Sequence, residues 1–228
     1  GSAGSNASFA TALNNQHLTN IAFIDSPSPA WKWAAAFAAV AAVSLRADPG
    51  LPLQPPLTVA GILAPPLASR FSLSIRNNTL LYGGCSTWTV DPSGNVVFER
   101  IITTYVTNTQ GQPDNSYLKV ETLFLLVYTL RRLSGLVSAK YSRVKLAANG
   151  TRLLPGTSVV TPATIRADLI AEYRQMEAQG YVQNSAAFAA GLIVEQDATN
   201  PDRVNTLLPV VLIDQLSTFA ALLQFRLV

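Results

Sequence analysis

Charge is what this sequence has least of. Its 228 residues include 16 Lys and Arg and 13 Asp and Glu, 13% of the chain, against about 25% in an ordinary soluble domain. With 49% hydrophobic residues there is ample material for a buried core, and intrinsic disorder, which needs low hydrophobicity and high net charge, is excluded. A formal net charge of +3 is too small for bulk attraction to phosphates to make nucleic acid the default partner. The single cysteine, Cys85, cannot form an intramolecular disulfide, and with one histidine, His17, no Cys/His spacing holds a metal. No cofactor is expected: neither GxxxxGK[ST] nor GxGxxG occurs. The most apolar run, residues 33–45 between Lys32 and Arg46, is shorter than the roughly 20 residues that cross a bilayer, so it reads as a core helix and no membrane insertion is expected. A surface so poor in charge suits one that is partly covered by other protein.

What is present reads as mixed α/β. Residues 1–16, opening Gly1-Ser2-Ala3-Gly4-Ser5, read as a flexible lead-in outside the fold. Residues 21–25 read as a short buried strand. The Ser26-Pro27-Ser28-Pro29 sequence then starts a helix over 30–46, with Ser28 as its cap. That helix is alanine-rich and should lie inside. Five prolines between Pro52 and Pro66 make the next segment an extended surface strap rather than regular structure. A helix over 68–82 ends at Gly83-Gly84, and a hairpin follows near 85–105, turning at Asp91-Pro92-Ser93-Gly94. Its strands are apolar on both faces, which implies cover on both sides.

The polar segment 107–115, with Gly111 and Pro113, is the best linker, and places a domain boundary between 17–110 and 111–228. A long helix over 117–140 repeats apolar residues at steps of three and four: Val120, Leu123, Phe124, Val127, Leu130 and Leu133. Thr161-Pro162 starts another helix that Gly180 ends. A short helical turn over 185–190 and strands over 192–196, 206–213 and 219–227 complete the chain.

A search for chemistry finds little. His17 with Asp25 and a serine makes a triad only on paper, because no GxSxG motif fixes the serine. Cys85 reads as a small hydrophobe. Asp168 and Glu172 lie four residues apart on a helix that also carries Arg166 and Arg174, a solvated charged face. Glu195 and Asp197, and Glu99 beside Arg100, read as structural ion pairs. Between Thr122 and Ile165 there are six cations and no acid: Arg131, Arg132, Lys140, Arg143, Lys145 and Arg152. Without interleaved aromatics this stretch is a weak signal for nucleic acid; an acidic protein partner and a solvated helix end fit it as well.

Several strings nonetheless resemble a known family. The run Leu81-Tyr82-Gly83-Gly84-Cys85-Ser86-Thr87-Trp88 and its continuation through Glu99-Arg100-Ile101-Ile102-Thr103 are similar to the tail sheath proteins of Mu-like contractile-tailed phages. So, in the same order, are Ser28-Pro29-Ala30-Trp31-Lys32-Trp33, Gly61-Ile62-Leu63-Ala64-Pro65-Pro66, Tyr117-Leu118-Lys119-Val120-Glu121, Val160-Thr161-Pro162 and Gln224-Phe225-Arg226-Leu227. The resemblance runs from about residue 17 to 228.

It implies a structural virion protein without catalytic residues. The fold expected is the end of a subtilisin-like α/β sheath domain followed by a smaller α+β C-terminal sheath domain, together about the C-terminal half of a longer subunit. The partners implied are other sheath subunits, the tail tube and the baseplate; the location is the virion tail, assembled in the host bacterial cytoplasm. The family's inner-facing C-terminal domain makes Arg131, Arg132, Lys140, Arg143 and Lys145 candidate tube-facing residues. Its terminal arms make Ala221, Leu222, Leu223, Gln224, Phe225, Arg226, Leu227 and Val228 a candidate inter-subunit strand. This chain alone is expected to be monomeric. A bacterial tailocin would use the same sheath; an α/β hydrolase and a nucleic-acid module are the competing classes.

Overall fold

A computed structural model describes residues 2–222 and 224. The chain divides into two compact units, residues 1–124 with 215–228, and residues 125–214. Each is mixed helix and sheet.

In the first unit, β1 (Asn20–Ile21) lies parallel to β2 (Cys85–Val90), which pairs antiparallel with β3 (Val96–Arg100). The turn between β2 and β3 is wound on Asp91: its side chain accepts from the Asn95 N–H (2.8 Å), its carbonyl from Gly94 (3.0 Å), and Gly94 takes the positive φ of 86° that a side chain would strain. Trp88 sits opposite Phe98, and α2 (Ala30–Ala47) packs on that face with Trp33 and Phe37. The rings of Phe23, Trp33, Phe37, Trp88 and Phe98 touch in series with centroids 4.7 to 5.7 Å apart. Both buried indoles have partners: Trp33 donates to Ser26 Oγ (2.7 Å) and Trp88 to the Ala22 carbonyl (2.8 Å). Helix α2 is buried only along this face. Trp31 and Val43 are 70% and 73% exposed, so the helix does not lie inside as its alanine content suggests. Ser28, the expected cap, instead accepts from the Leu63 N–H (3.0 Å), and Pro29 holds the cap position without a side-chain bond.

The proline-rich segment is not a surface strap. Leu53 and Val59 are buried, the Val59 N–H donates to the Val96 carbonyl (2.7 Å), and the Phe98 N–H donates to the Leu57 carbonyl (2.9 Å). The segment thus extends the edge of β3 using only its non-proline groups, which is how a proline-rich chain can join a ladder. It supplies part of the cover that the two-sided hairpin requires. Glu121, in the first turn of α4 (Val120–Tyr141), is buried and accepts from the Leu53 N–H at 2.5 Å. Burial pushes its carboxyl up from the ordinary glutamate range, with the Leu53 bond opposing.

The helix expected over 68–82 is broken. A short turn at Leu67–Ser69 precedes α3 (Leu73–Ile75), capped by Ser72, which widens into a π-helical segment at Arg76–Leu81. Residues expected to be a flexible lead-in form α1 (Ala3–Ala12), capped by Ser2. Its Ala10 is buried with Ala22, Leu80 and Cys85, and Ala7 approaches so closely that a Cβ on Gly83 would sit 2.6 Å from its Cβ. The polar segment 107–115 folds back on itself, with Asn108 donating to the Gln112 carbonyl (2.9 Å). Asn14 fastens its start: Oδ1 accepts from Val106 (2.7 Å) and Thr107 (3.0 Å), and Nδ2 donates to the Thr107 carbonyl (2.7 Å). The division into units falls after Phe124 rather than in this segment.

In the second unit, the remainder of α4, α5 (Pro162–Ala178) and α6 (Ser185–Gly191) enclose Leu133, Ile165, Leu169, Tyr173, Met176 and Phe188. Thr161 caps α5 by accepting from Thr164, and Pro162 occupies its first turn. Tyr173 stacks on Phe188 at 3.8 Å. Two small sheets complete the unit: β4 (Lys145–Leu146) parallel to β5 (Val159–Val160), and β6 (Ile193–Gln196) antiparallel to β7 (Val204–Leu207). The strand expected over 206–213 is divided. Pro209 follows the end of β7 and cannot donate to a ladder; beyond it the chain turns to Tyr181 and Gln183, which bond Ile213 (3.2 Å) and Val211 (2.9 Å) through the backbone.

Candidate functional site

The five candidate basic residues separate into two kinds. Arg132 is structural: Nε donates to Glu172 of α5 at 2.5 Å, and Nη1 to the Tyr128 hydroxyl (3.1 Å) and to Gln179. Burial is the largest single influence and opposes its charge, yet the Glu172 and Tyr128 bonds and their charges together outweigh it and raise its pKa. Lys140 lies 3.0 Å from Asp168, which also accepts from the Tyr141 hydroxyl. Those bonds, Tyr141 first, hold the Asp168 carboxyl below the ordinary aspartate range; burial and the Asp168 bond push the Tyr141 phenol up. Arg131, Arg143 and Lys145 are exposed and take part in no ion pair among the described residues. Asp168 and Glu172 are therefore not a solvated face, because they meet the cations of α4. Four-residue spacing on α5 matches Asp168 and Glu172 to Lys140 and Arg132 on α4, a pairing that two separate one-dimensional patterns do not display.

Of the candidate inter-subunit strand, Ala221, Leu222 and Gln224 are exposed and outside any strand, while Leu223, Phe225, Arg226, Leu227 and Val228 lie outside the described residues.

The residues considered for catalysis are dispersed among structural contacts. His17 stacks on Tyr117 (5.3 Å) and meets the edge of Tyr105 (4.9 Å), and the Tyr105 hydroxyl donates to Asp114 at 2.6 Å. Asp25 accepts from Ser69 Oγ (2.8 Å). Cys85 is fully buried, and burial pushes its thiol up against a weaker opposing bond from Asn20, the reverse of what a nucleophile needs. Glu99 is gripped at both oxygens by Arg76 (2.6 and 2.9 Å) rather than by its neighbour Arg100. Asp197 accepts from Thr199 and Asn205, bonds that lower its pKa.

Helix α4 is by length and composition able to cross a bilayer. Arg131, exposed near its middle, would cost roughly 3 kcal/mol at a membrane centre, and the Glu172 and Asp168 pairs tie the same helix to α5.

Arg131, Arg143 and Lys145, each exposed and outside the ion pairs of the described residues, can meet a partner of opposite charge. Residues 112–226 match the family described as the phage tail sheath C-terminal domain. The chain is also 40% identical over 219 residues to the Mu-like prophage FluMu tail sheath protein of Haemophilus influenzae. That alignment takes in 96% of this chain and 44% of the relative, so the chain spans less than half the length of the protein it matches. With half of its residues inside the matched domain, the chain belongs to the phage tail sheath C-terminal domain family.

Proposed function

We propose that this chain is the C-terminal portion of a structural subunit of a contractile tail sheath. Such subunits polymerise around a tail tube and contract to drive it through the host envelope. The observation that carries this reading is the 40% identity to a prophage tail sheath protein, sustained over 219 residues. Residues 17–110 are the end of the middle, subtilisin-like domain and 111–228 the C-terminal domain; the family match from residue 112 supports this boundary, while the compact units divide later, after Phe124. The subunit is not an enzyme, and the structural partners of His17 and Cys85 support that. Its partners are other sheath subunits, the tube and the baseplate, and it resides in the virion tail after assembly in the bacterial cytoplasm. A head-to-tail contact repeated with a rotation that does not close produces such a tube.

Within this reading, Arg131, Arg143 and Lys145 are the tube-facing cations, while Arg132 and Lys140 brace α4 against α5. A weak, hydrated electrostatic contact can be broken during contraction where a large apolar one would lock. Residues 221–228 are the arm that links subunits by strand addition.

The test is negative-stain electron microscopy of the longer parent subunit at high concentration, with and without its tube protein. Striated hollow tubes are expected; persistent monodisperse monomers would sink the reading. Charge reversal at Arg131, Arg143 and Lys145 should reduce co-sedimentation with the tube and leave folding unchanged, whereas undiminished association would remove these residues from the interface.

A further inference from the structure

Between β4 and β5 the chain turns through Ala148-Asn149-Gly150-Thr151, where the Thr151 N–H (3.3 Å) and hydroxyl (2.7 Å) both donate to the Ala148 carbonyl. Asn149 and Gly150 are exposed, and Gly150 takes a φ of 84° with open space on the side where a Cβ would stand. This is the one Asn-Gly pair in the sequence. We propose that it is a self-modifying site, at which Asn149 cyclises onto the backbone nitrogen of Gly150 and is converted to an acid without an enzyme. The step balances within the turn and one water. The Gly150 nitrogen gives up its proton and bonds to Asn149 Cγ; the bond from Cγ to the side-chain nitrogen breaks, and ammonia leaves with that proton. Water then opens the five-membered succinimide, at Cγ to give aspartate or at the main-chain carbonyl to give isoaspartate.

Three features of the fold favour cyclisation here beyond the residue pair itself. The nucleophile is free: the Gly150 N–H makes no hydrogen bond among the described residues, so nothing has to be broken before it attacks. The electrophile is polarised. Asn149 Oδ1 accepts from the Ala163 N–H at 2.9 Å, in the first turn of α5, where N–H groups without helical partners carry positive partial charge. Negative charge develops on that oxygen as nitrogen adds to Cγ, and a donor already aimed at it stabilises the change. The approach is also unobstructed, because glycine brings no side chain and nothing else lies near it. The same chain supplies contrasting asparagines. Asn115 and Asn184 each precede a serine, but the Ser116 N–H is committed to Asp114 (2.9 Å) and the Ser185 N–H to Glu177 (2.9 Å). The aspartate formed at 149 puts a carboxylate against the N-terminus of α5, where negative charge is favoured. It is also the first acid in the stretch between Thr122 and Ile165, which carries six cations and none of the opposite sign.

The experiment incubates the full parent subunit at neutral pH, folded in buffer and unfolded in guanidinium chloride. The tryptic peptide 146–152 is followed by mass spectrometry, with electron-transfer fragmentation to separate aspartate from isoaspartate. Asn149 should convert at least as fast in the folded protein as in the unfolded chain, giving both isomers. Folding should slow Asn115 and Asn184 by about tenfold or more, because a hydrogen bond must open first. Slower conversion of Asn149 in the folded protein than in denaturant would overturn the proposal, and so would aspartate formed without isoaspartate, the mark of direct hydrolysis. Gly150→Ala places a side chain beside the nucleophile and should suppress the conversion; an unchanged rate would show that the Gly150 nitrogen is not the attacking atom. None of these readouts involves tube formation, so the site at Asn149 is tested apart from the sheath reading.

Discussion

Both units bond side chains to backbone, but among the described residues they differ in what joins their helices: the second sets two ion pairs between α4 and α5 where the first has one, between its π-helical segment and β3. In the first, loops are fastened mainly by side chains bonding backbone, Asn14 to 106–107, Thr104 to Leu13 and Leu18, Glu121 to Leu53 and Trp88 to Ala22, beside one ion pair, Arg76 to Glu99, between the π-helical segment and β3. In the second, helices are joined by charge, Arg132 to Glu172 and Lys140 to Asp168. Backbone-directed bonds of neutral groups are indifferent to salt; ion pairs with partly exposed side chains are screened by it. The α4–α5 contact of the second unit should therefore respond to ionic strength more than the Asn14, Thr104 and Trp88 bonds of the first.

The largest effect that could break this contrast is in the first unit. Trp33→Ala removes a 1% exposed ring that touches Phe23, Phe37 and Trp88 and also removes the indole bond to Ser26 Oγ, which keeps only the Ser28 N–H. A loss of about 3–5 kcal/mol is expected, read as a lowered denaturation midpoint of the first unit with the second unit's near-ultraviolet signal retained. If both units lose structure together, they are one cooperative body and the contrast has no energetic meaning.

How far the chain could be read in advance follows the same divide between local and distant causes. Helices α2 and α5 and the β2–β3 hairpin were legible because their signals sit within a few residues: Ser-Pro-Ser-Pro before α2, Thr161-Pro162 before α5, and Asp91 with Gly94 in the turn. The proline-rich segment was not, since what makes Val59 part of a sheet is the Val96 carbonyl, 37 positions further along the sequence. Likewise α1 is fixed by the Gly83 and Leu80 surface rather than by its own weakly patterned alanines. In the candidate site the excess of cations was visible, but its division into braces and exposed charges depends on α5 meeting α4. That is a tertiary fact.

A smaller effect sharpens the account of the first unit. Glu121→Ala leaves the buried Leu53 N–H without its acceptor and should cost about 1–3 kcal/mol. Glu121→Gln keeps an acceptor and removes the titration. Because the folded-state pKa of Glu121 is raised by burial, its contribution is fully present below the unfolded value near 4.3 and is lost as pH rises through the folded value. The wild-type first unit should therefore lose stability relative to Glu121→Gln as pH rises above about 4. Parallel stability curves for the two proteins between pH 4 and 8 would show that the carboxylate is solvated well enough to titrate normally.

The smallest effects belong to the second unit, where the contrast is most exposed to failure. A double-mutant cycle on Arg132→Ala and Glu172→Ala should return a coupling of about 1 kcal/mol, because the pair is only partly exposed yet still reached by water. The coupling should shrink as salt is raised. Asp168 supplies the matching pH dependence with the opposite sign to Glu121. Its pKa is lowered in the folded state by Tyr141 and Lys140, so its contribution is present above the unfolded value near 3.9 and is lost as pH falls through the folded one. Acidification from pH 5 downward should then weaken the second unit's hold between α4 and α5, and Asp168→Asn should remove that dependence. If instead the Arg132–Glu172 coupling is the same at low and high salt, these charges act through packing and hydrogen-bond geometry alone, and the two units differ in composition but not in the kind of force that holds them.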